Sequence, residues 1–372
     1  MRVILAGGGT GGHIYPAVTL AHEFMKRDPQ TEILFVGGKR GLESDIIPKE
    51  GFKLVTLNLA GIPRKLTLDI FKSLWLAGKG VMETFEIVKE FKPDVVIGTG
   101  GYVCGPMVLA AALSGVPTAI QEQNAFPGVT NRMLGKVVRR IFTAYPEAGD
   151  FFNQKKIRIL GNPIRSAEFS TVTRAESEAV LGLKPNCMNL LVFGGSQSAQ
   201  KVNQAFLPLI PELLRDNEHL QVMLMTGTKE YEKTKKIVTD WNLSVEIMER
   251  IHLAPYFYKM AQVYKATDLV IARAGALSLA EITCFGIPAI LIPYPYATNN
   301  HQEFNARVLE KNRAALVLSE SELTSEKLQT ALFQIANSPN TWQLMSKASL
   351  SLSRPNAAAD IVSELQQLIM DK

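Results

Sequence analysis

The first residues of the chain have the types and spacing of a site that binds an anion and transfers a proton. A short apolar run, Val3–Ala6, stops in a glycine-rich turn, Gly7–Gly12, and His13 follows directly. Apolar residues resume at Pro16, so the pattern predicts a buried strand that turns sharply into a helix. The backbone N–H groups of such a helix start bind anions, most often phosphate, although a tight turn without a ligand is the alternative. His13 adds a side chain that can move a proton near neutral pH.

The same half of the chain carries a second glycine-rich turn and a polar cluster. The turn is Gly100–Pro106, and together the two turns predict a diphosphate held between two helix starts. Taken alone, the glycines of the second turn fit close packing equally well. The cluster, Gln121–Asn124, follows a buried strand, and Asn131 lies shortly after it. Polar residues at such a position are costly to bury unless they bind a ligand or cap a helix.

The second half carries its own set of candidate binding residues. The turn Gly194–Gln197 predicts a further anion site, to which Ser196 adds a hydroxyl. Arg273 ends a predicted strand, where its charge should meet either a phosphate or a carboxylate. Glu281 lies one turn into the next helix and suits a ribose diol, and the amide of Gln302 suits sugar hydroxyls.

Composition and missing motifs narrow the function classes. The 372 residues contain no Asp-x-Asp pair, no His-Glu-x-x-His and no Gly-Lys-Ser/Thr, so we expect no bound metal and no cofactor. We expect helix starts and arginine to stabilise the charge of a leaving group instead. Three widely spaced cysteines form no metal pattern and favour a reducing compartment. A net charge of +5 suggests anionic partners without requiring nucleic acid.

The order of the predicted elements places these residues in two similar domains. Strands and helices alternate throughout, which predicts parallel, doubly wound α/β sheets. Pro93–Gly101 followed by Gly115–Pro117 is echoed by Thr267–Gly275 followed by Gly286–Pro288. We therefore expect two Rossmann-like domains facing each other across a cleft, 1–163 completed by a C-terminal helix, 356–372, and 164–355. The sequence opens with a predicted core strand, so we expect no signal peptide. Glycines and prolines divide the uncharged stretch 102–120, so we expect a helix followed by a strand there.

The motifs as a set resemble one family. The chain is similar to the MurG family, the bacterial N-acetylglucosaminyl transferases of peptidoglycan synthesis, in motifs that follow the family order: Gly8–His13, Gly100–Tyr102, Glu122–Asn124, Gly161–Arg165, Gly194–Gln197, Gly275–Leu277 with Glu281, and His301–Gln302. The resemblance implies a GT-B fold and a metal-independent, inverting transfer. N-acetylglucosamine would pass from UDP to the 4-hydroxyl of muramoyl-pentapeptide on undecaprenyl diphosphate.

The resemblance also implies residue roles. Contacts to the UDP-N-acetylglucosamine donor fall on Thr10, Gly11, Gly12, Asn124, Arg165, Ser196, Phe257, Ala276, Leu277, Ser278, Leu279, Ala280, Glu281 and Gln302, with Arg273 added from its position at a strand end. The acceptor diphosphate is assigned to the two turns of the first domain, at Gly9, His13, Gly101, Tyr102 and Asn131. His13 is the first candidate for the general base and Glu122 the second. Ser198 departs from the family, which usually has glycine there.

Two other functions remain open at this point, together with a membrane contact. A UDP-sugar epimerase can share the architecture without needing a lipid acceptor, and a non-catalytic nucleotide-binding module would leave His13 unexplained. Between residues 62 and 91, large apolar side chains alternate with Arg64, Lys65, Lys72 and Lys79. We expect this stretch, with Lys136, Arg139 and Arg140 extending its basic rim, to hold the protein reversibly on the cytoplasmic leaflet of the cell membrane.

Overall fold

The computed structural model describes residues 1–39, 41–57, 70–166, 169, 171–194 and 199–371. For residues 70–80 and 199 it describes the backbone only. The chain divides into two compact units, Met1–Ile164 with Arg354–Lys372, and Arg165–Ser353. The domain limits expected from the sequence, 163/164 and 355/356, lie within two residues of this division.

The first unit is a parallel sheet with helices on both faces. Its elements are β1 (Arg2–Gly7), α1 (Gly11–Arg27), β2 (Glu32–Gly38), α2 (Glu43–Lys49), β3 (Lys53–Leu57), α3 (Ile70–Phe91), β4 (Val95–Gly100), α4 (Cys104–Leu113), β5 (Thr118–Glu122), α5 (Val129–Leu134), β6 (Arg140–Thr143) and β7 (Ile157–Ile159). The strand order β3-β2-β1-β4-β5-β6-β7 reverses direction between β1 and β4. Ligands bind at such a reversal in doubly wound sheets.

Alternation along β1 explains why both faces are covered. Val3 and Leu5 pack with α1 and α2, whereas Ile4 and Ala6 pack with α3, α4 and α5. Each strand residue is therefore buried on one face or the other, as the continuous apolar runs of the sequence require. The helix and strand predicted within 102–120 are confirmed as α4 and β5.

The second unit repeats the scheme. Its elements are α6 (Arg174–Leu181), β8 (Met188–Phe193), α7 (Ala199–Phe206), α8 (Ile210–Asp216), β9 (Leu220–Met225), α9 (Tyr231–Asp240), α10 (Val245–Met248), β10 (Ile251–Ala254), α11 (Met260–Ala266), β11 (Leu269–Ala272), α12 (Ala276–Cys284), β12 (Ala289–Leu291), α13 (His301–Lys311), β13 (Ala315–Val317), α14 (Ser325–Ala336) and α15 (Pro339–Ser351). The parallel order β10-β9-β8-β11-β12-β13 reverses between β8 and β11. The predicted α/β class with two Rossmann-like sheets is confirmed.

The last helix, α16 (Ala357–Met370), belongs to the first unit. Ile361, Val362 and Leu365 are fully buried in the core that α1 lines. The Arg27 guanidinium of α1 donates to the hydroxyl of Ser363 at 2.9 Å and to other acceptors on α16. Across the described residues, no helix combines the length and the apolar character needed to cross a bilayer.

Candidate active site

Two glycine-rich turns of the first unit pack directly against each other at the sheet reversal. Gly101 has a φ of 85°, and a β-carbon there would lie 2.4 Å from the carbonyl oxygen of Gly8. Gly100, with a φ of 112°, lies against the ring of His13, where a β-carbon would be 2.5 Å from Nδ1. Only glycine permits both the left-handed backbone and this approach. The structure thus places side by side the two turns that the sequence predicted to act as a pair.

His13 is held in one orientation by acceptors from two neighbouring strands. Its Nδ1 lies 3.0 Å from the carbonyl oxygen of Thr99 and 3.2 Å from Oε1 of Gln123. The amide nitrogen of Gln123 donates to the Thr99 and Gln121 carbonyls, at 2.7 and 3.2 Å, which assigns its Oε1 to the histidine. Both groups facing Nδ1 accept hydrogen bonds, so Nδ1 carries the proton and Nε2 keeps a lone pair. The half-buried His13 is thereby prepared to accept a proton at Nε2.

Glu43, at the start of α2, is a site residue that sequence reasoning missed. Its side chain is completely buried, and its Oε2 accepts the backbone N–H of Gly9 at 2.9 Å. Its Oε1 accepts the N–H of Gly38 at 2.8 Å. The glycines Gly37, Gly38 and Gly41 around it were the available signal, because glycines clustered near one charged residue indicate close packing.

The first turn therefore has few N–H groups left for a ligand. Gly8 donates to the carbonyl of Gly100 at 3.4 Å and Gly9 donates to Glu43. The next backbone donors along the turn are the N–H groups of Thr10, Gly11 and Gly12, at the partly exposed start of α1. Thr10, the residue before this helix, is exposed and its side chain makes no capping bond. An anion would consequently meet Gly11, Gly12 and the hydroxyl of Thr10.

The polar cluster after β5 is a structural network, which corrects two of the predicted roles. The Glu122 side chain is 1% exposed and accepts from the backbone N–H groups of Asn124 and Gly128, both at 3.0 Å. It also accepts from the amide of Asn131 at 2.8 Å, and Asn131 is itself buried. Both oxygens of Glu122 thus fix the loop that leads into α5. The helix-cap alternative applies, and neither a base at Glu122 nor a diphosphate contact at Asn131 fits this arrangement.

Asn124 and Tyr102 keep positions from which they can reach a ligand. Asn124 is half-buried and Tyr102 is 40% exposed. The Tyr102 hydroxyl lies beside Gly38, where a β-carbon would be 2.1 Å away. Tyr102 therefore extends from the second turn toward the end of β2.

In the second unit, two amide side chains of α13 hold the turn that precedes α12. Oε1 of Gln302 accepts the backbone N–H groups of Ala274 at 3.2 Å and Tyr294 at 3.0 Å. The buried Asn305, one turn further along α13, donates to the carbonyl of Ala274 at 3.2 Å. The Gln302 oxygen is therefore engaged by backbone, and its –NH₂ group is the end that can address a sugar hydroxyl.

Glu281 is oriented by a buried tyrosine. The hydroxyl of Tyr264 donates to Oε2 of Glu281 at 3.0 Å, and Tyr264 is 2% exposed. Burial raises the pKa of Tyr264 well above its usual value, and the charge of Glu281 raises it further. Tyr264 therefore stays protonated as a donor, while Glu281 remains partly accessible on α12.

Arg273 meets a carboxylate, the second of the two partners considered from the sequence. Its guanidinium pairs with Glu320 and donates to the carbonyl of Ile292 at 3.0 Å. It also lies over the ring of Tyr294 and is only 4% exposed. This arrangement does not support the predicted donor contact at Arg273, because the charge is used inside the unit.

The remaining predicted donor residues have different surroundings. Ala276, Leu277, Ser278 and Ala280 are partly exposed in the first turns of α12, whereas the Leu279 side chain is fully buried and leaves only its backbone for a ligand. Phe257 directs its N–H to the sulfur of Met225 at 3.4 Å, and Arg165 is exposed at the start of the second unit. Ser196 and Ser198 lie outside the described residues.

The other titratable groups do not form a second centre. Over the described ranges, no three His, Cys, Asp or Glu side chains are grouped as a metal site would need. His252 lies in β10, and burial, with the charge of Lys184 second, lowers its pKa. Burial raises the pKa of Cys104 to about 12, so this thiol is structural.

Two parallel Rossmann-like units, each with glycine-rich or amide-held turns at its sheet reversal, form the GT-B fold, and the family match assigns the chain to the glycosyltransferases. Residues 3–143 match the glycosyltransferase family 28 N-terminal domain and residues 189–365 its C-terminal domain. A Thermoanaerobacter sp. (strain X514) UDP-N-acetylglucosamine--N-acetylmuramyl-(pentapeptide) pyrophosphoryl-undecaprenol N-acetylglucosamine transferase is 44% identical, with 99% of this chain and 100% of the relative covered. The chain belongs to this family, the MurG family.

Solved structures agree with this assignment. The crystal structure of Acinetobacter baumannii MurG matches with a TM-score of 0.77 and 28% identity, covering 98% of this chain and 99% of that one. A putative UDP-N-acetylglucosamine 2-epimerase from Listeria monocytogenes matches with a TM-score of 0.70 but 15% identity, over 100% of this chain and 97% of that one. At that identity the epimerase shares the fold alone.

Proposed function

We propose that the protein transfers N-acetylglucosamine from its UDP donor to the 4-hydroxyl of muramoyl-pentapeptide on undecaprenyl diphosphate, with inversion and without a metal. The family membership supports the substrates, because the relatives carry this activity in their names. The observation that carries the mechanism is the orientation of His13, whose Nδ1–H is committed to Thr99 and Gln123. Its Nε2 is then the base available beside a phosphate-type turn.

In the proposed reaction, the acceptor oxygen forms a bond to C1 of the sugar as the bond from C1 to the UDP phosphate breaks. The hydroxyl proton passes to Nε2 of His13, and UDP leaves with the electron pair. The N–H of Gly9, predicted for the acceptor diphosphate, is bonded to Glu43, so we reassign Gly11 and Gly12 from the donor to this diphosphate, where Gly101 and Tyr102 join them. Glu281 binds the ribose of UDP and Gln302 the sugar.

A direct assay tests this proposal. Purified protein is given UDP-N-acetylglucosamine and a short-chain lipid acceptor analogue, while UDP release and product mass are followed with and without chelator. We expect UDP release only with acceptor and a product heavier by one N-acetylglucosamine unit, in both conditions. UDP release or sugar isomerisation without acceptor would favour an epimerase, and UDP binding with no reaction a binding module.

We also propose that the protein works at the cytoplasmic face of the cell membrane. Side-by-side helices α4 and α5 expose large apolar side chains, with Leu113 and Met133 more than 60% exposed. Lys136 and Arg139 are exposed nearby in the chain, whereas Arg140 lies 3.6 Å from Glu364 of α16 and does not belong to the rim. Residues 62–80 of the predicted stretch 62–91 lie outside the described side chains. Each cation near anionic lipid contributes about 1 kcal/mol.

Charge reversal tests this membrane contact. Replacing Lys65, Lys72 and Lys79 by Glu should abolish sedimentation with phosphatidylglycerol vesicles and leave turnover on a soluble acceptor analogue unchanged. The matched control reverses three exposed lysines of α9 in the second unit, Lys233, Lys235 and Lys236, with the same change in net charge. If both triple variants sediment like the wild type, or lose sedimentation equally, the predicted surface is not the contact.

A further inference from the structure

The carboxylate of Glu43 accepts a backbone N–H of the first glycine-rich turn, a group of the kind that binds phosphate in such turns. Its two carboxylate oxygens accept one backbone N–H from each of two strand ends, Gly9 after β1 and Gly38 at the end of β2. The side chain is fully buried, so these bonds form away from water. A buried carboxylate is costly unless hydrogen-bonded, and the turn supplies the donors.

Glycines occupy the positions around Glu43 at which a β-carbon would touch its side chain. A β-carbon on Gly41 would lie 1.9 Å from Oε2, and one on Gly8 would lie 2.3 Å from Oε1. One on Gly37 would lie 2.7 Å from Cγ. Three backbone segments therefore close around a single carboxylate. Such close packing leaves the carboxylate little room to move.

We propose that Glu43 is a positioning residue that fills the inner part of the first turn with the chain's own negative charge. It thereby places the acceptor diphosphate on the outer N–H groups of Gly11 and Gly12, within reach of His13. The inference rests on the proposed function, since it concerns where that acceptor binds. The link to the site is covalent and short, because Gly9 is followed by Thr10 and then by the first turn of α1.

Glu43 can affect acceptor binding in two ways, and neutralising its charge would change the acceptor affinity in opposite directions in the two cases. As a bare charge, Glu43 would repel a nearby diphosphate, and its neutralisation would tighten acceptor binding. As a positioning group, it orders the turn, and its neutralisation would weaken acceptor binding. Glu43→Gln keeps the shape but places an –NH₂ group opposite one of the two N–H donors, so one of the bonds is lost.

The experiment pairs Glu43→Gln with Gly41→Ala, which keeps the charge but pushes the carboxylate from its place. Acceptor KM, kcat and UDP affinity are measured for both, with unfolding temperature as a check of folding. We expect acceptor kcat/KM to fall roughly tenfold to a hundredfold in both, with UDP affinity within about twofold of wild type. Glu50→Gln, at the end of α2 in a pair with His22, is the matched control and should change neither.

A second readout separates this inference from the proposed function. Binding of inorganic pyrophosphate, measured by calorimetry with saturating UDP present, should weaken in Glu43→Gln and Gly41→Ala and persist in Glu50→Gln, whether or not the lipid analogue turns over. Tighter pyrophosphate binding or a lower acceptor KM in Glu43→Gln would overturn the inference in favour of simple repulsion. Unchanged binding in both variants would also overturn it, while absent turnover in the wild type would count against the proposed function alone.

Discussion

The turn between β1 and α1 and the turn between β11 and α12 each follow one of the two strands at the sheet reversal of their unit, and they are held by different chemistry. In the first, the buried carboxylate of Glu43 takes two N–H groups, and the helix that follows carries His13. In the second, Gln302 and Asn305 take the N–H and the carbonyl of Ala274, and the helix carries Glu281.

The difference follows from what each side chain can bind. A carboxylate only accepts, so it can secure a turn through N–H groups alone and leaves a negative charge beneath it, which helix starts tolerate. An amide accepts and donates, so Gln302 and Asn305 secure a backbone unit from both sides without adding charge. The comparison predicts that the first turn serves proton transfer and acceptor binding and that the second serves donor recognition.

The largest expected effect is on the first turn. His13→Ala should lower turnover by roughly 10²- to 10⁴-fold, because the base is lost, and should leave UDP affinity nearly unchanged. Single-turnover rates and UDP calorimetry would measure the two quantities separately. His22→Ala is the matched control, since His22 lies further along the same helix in an exposed pair with Glu50. Near-normal turnover in His13→Ala would mean that another residue is the base. The first turn would then no longer differ from the second by serving proton transfer.

The sequence predicted the parts of this comparison that depend on local pattern. Apolar alternation and glycine-rich turns are short-range signals, so both sheets, β5 after α4, and the helix α16 were predicted correctly. What holds each turn depends on distant partners. Glu43 bonds Gly9 from 34 positions away, and Arg273 finds Glu320 at 47 positions, separations at which spacing carries no information. Glu122 was misassigned because a cap and a catalytic carboxylate look alike in sequence.

A second, smaller effect is expected on the other turn. Glu281→Ala should weaken UDP binding tenfold or more, because charge-assisted hydrogen bonds to the ribose are worth about 1.5–3 kcal/mol. The change also removes the acceptor that Glu281 offers to the buried hydroxyl of Tyr264, so the double variant with Tyr264→Phe should regain stability but not affinity. Glu303→Ala, at a partly exposed residue paired with Arg307, is the control. Unchanged UDP affinity would show that Glu281 only anchors Tyr264.

The smallest effect is expected at Gln302 and concerns which sugar is accepted. Gln302→Glu retains an oxygen for the N–H groups of Ala274 and Tyr294, so the turn should keep its shape. It replaces the –NH₂ group, whose bond to a sugar hydroxyl is worth about 0.5–1.5 kcal/mol. The preference for UDP-N-acetylglucosamine over UDP-N-acetylgalactosamine, which differ at one hydroxyl, should therefore fall roughly twofold to tenfold in kcat/KM.

The ratio of the two donors is the quantity to measure for Gln302→Glu. The added negative charge repels both UDP-sugars alike, so a loss of affinity common to both cancels in the ratio, while a lost hydroxyl contact does not. Gln302→Ala releases the two backbone N–H groups as well, and we expect it to weaken both donors in addition to reducing the preference. If the preference is unchanged in Gln302→Glu, then Gln302 serves the backbone alone, and sugar recognition belongs to another residue of the second unit.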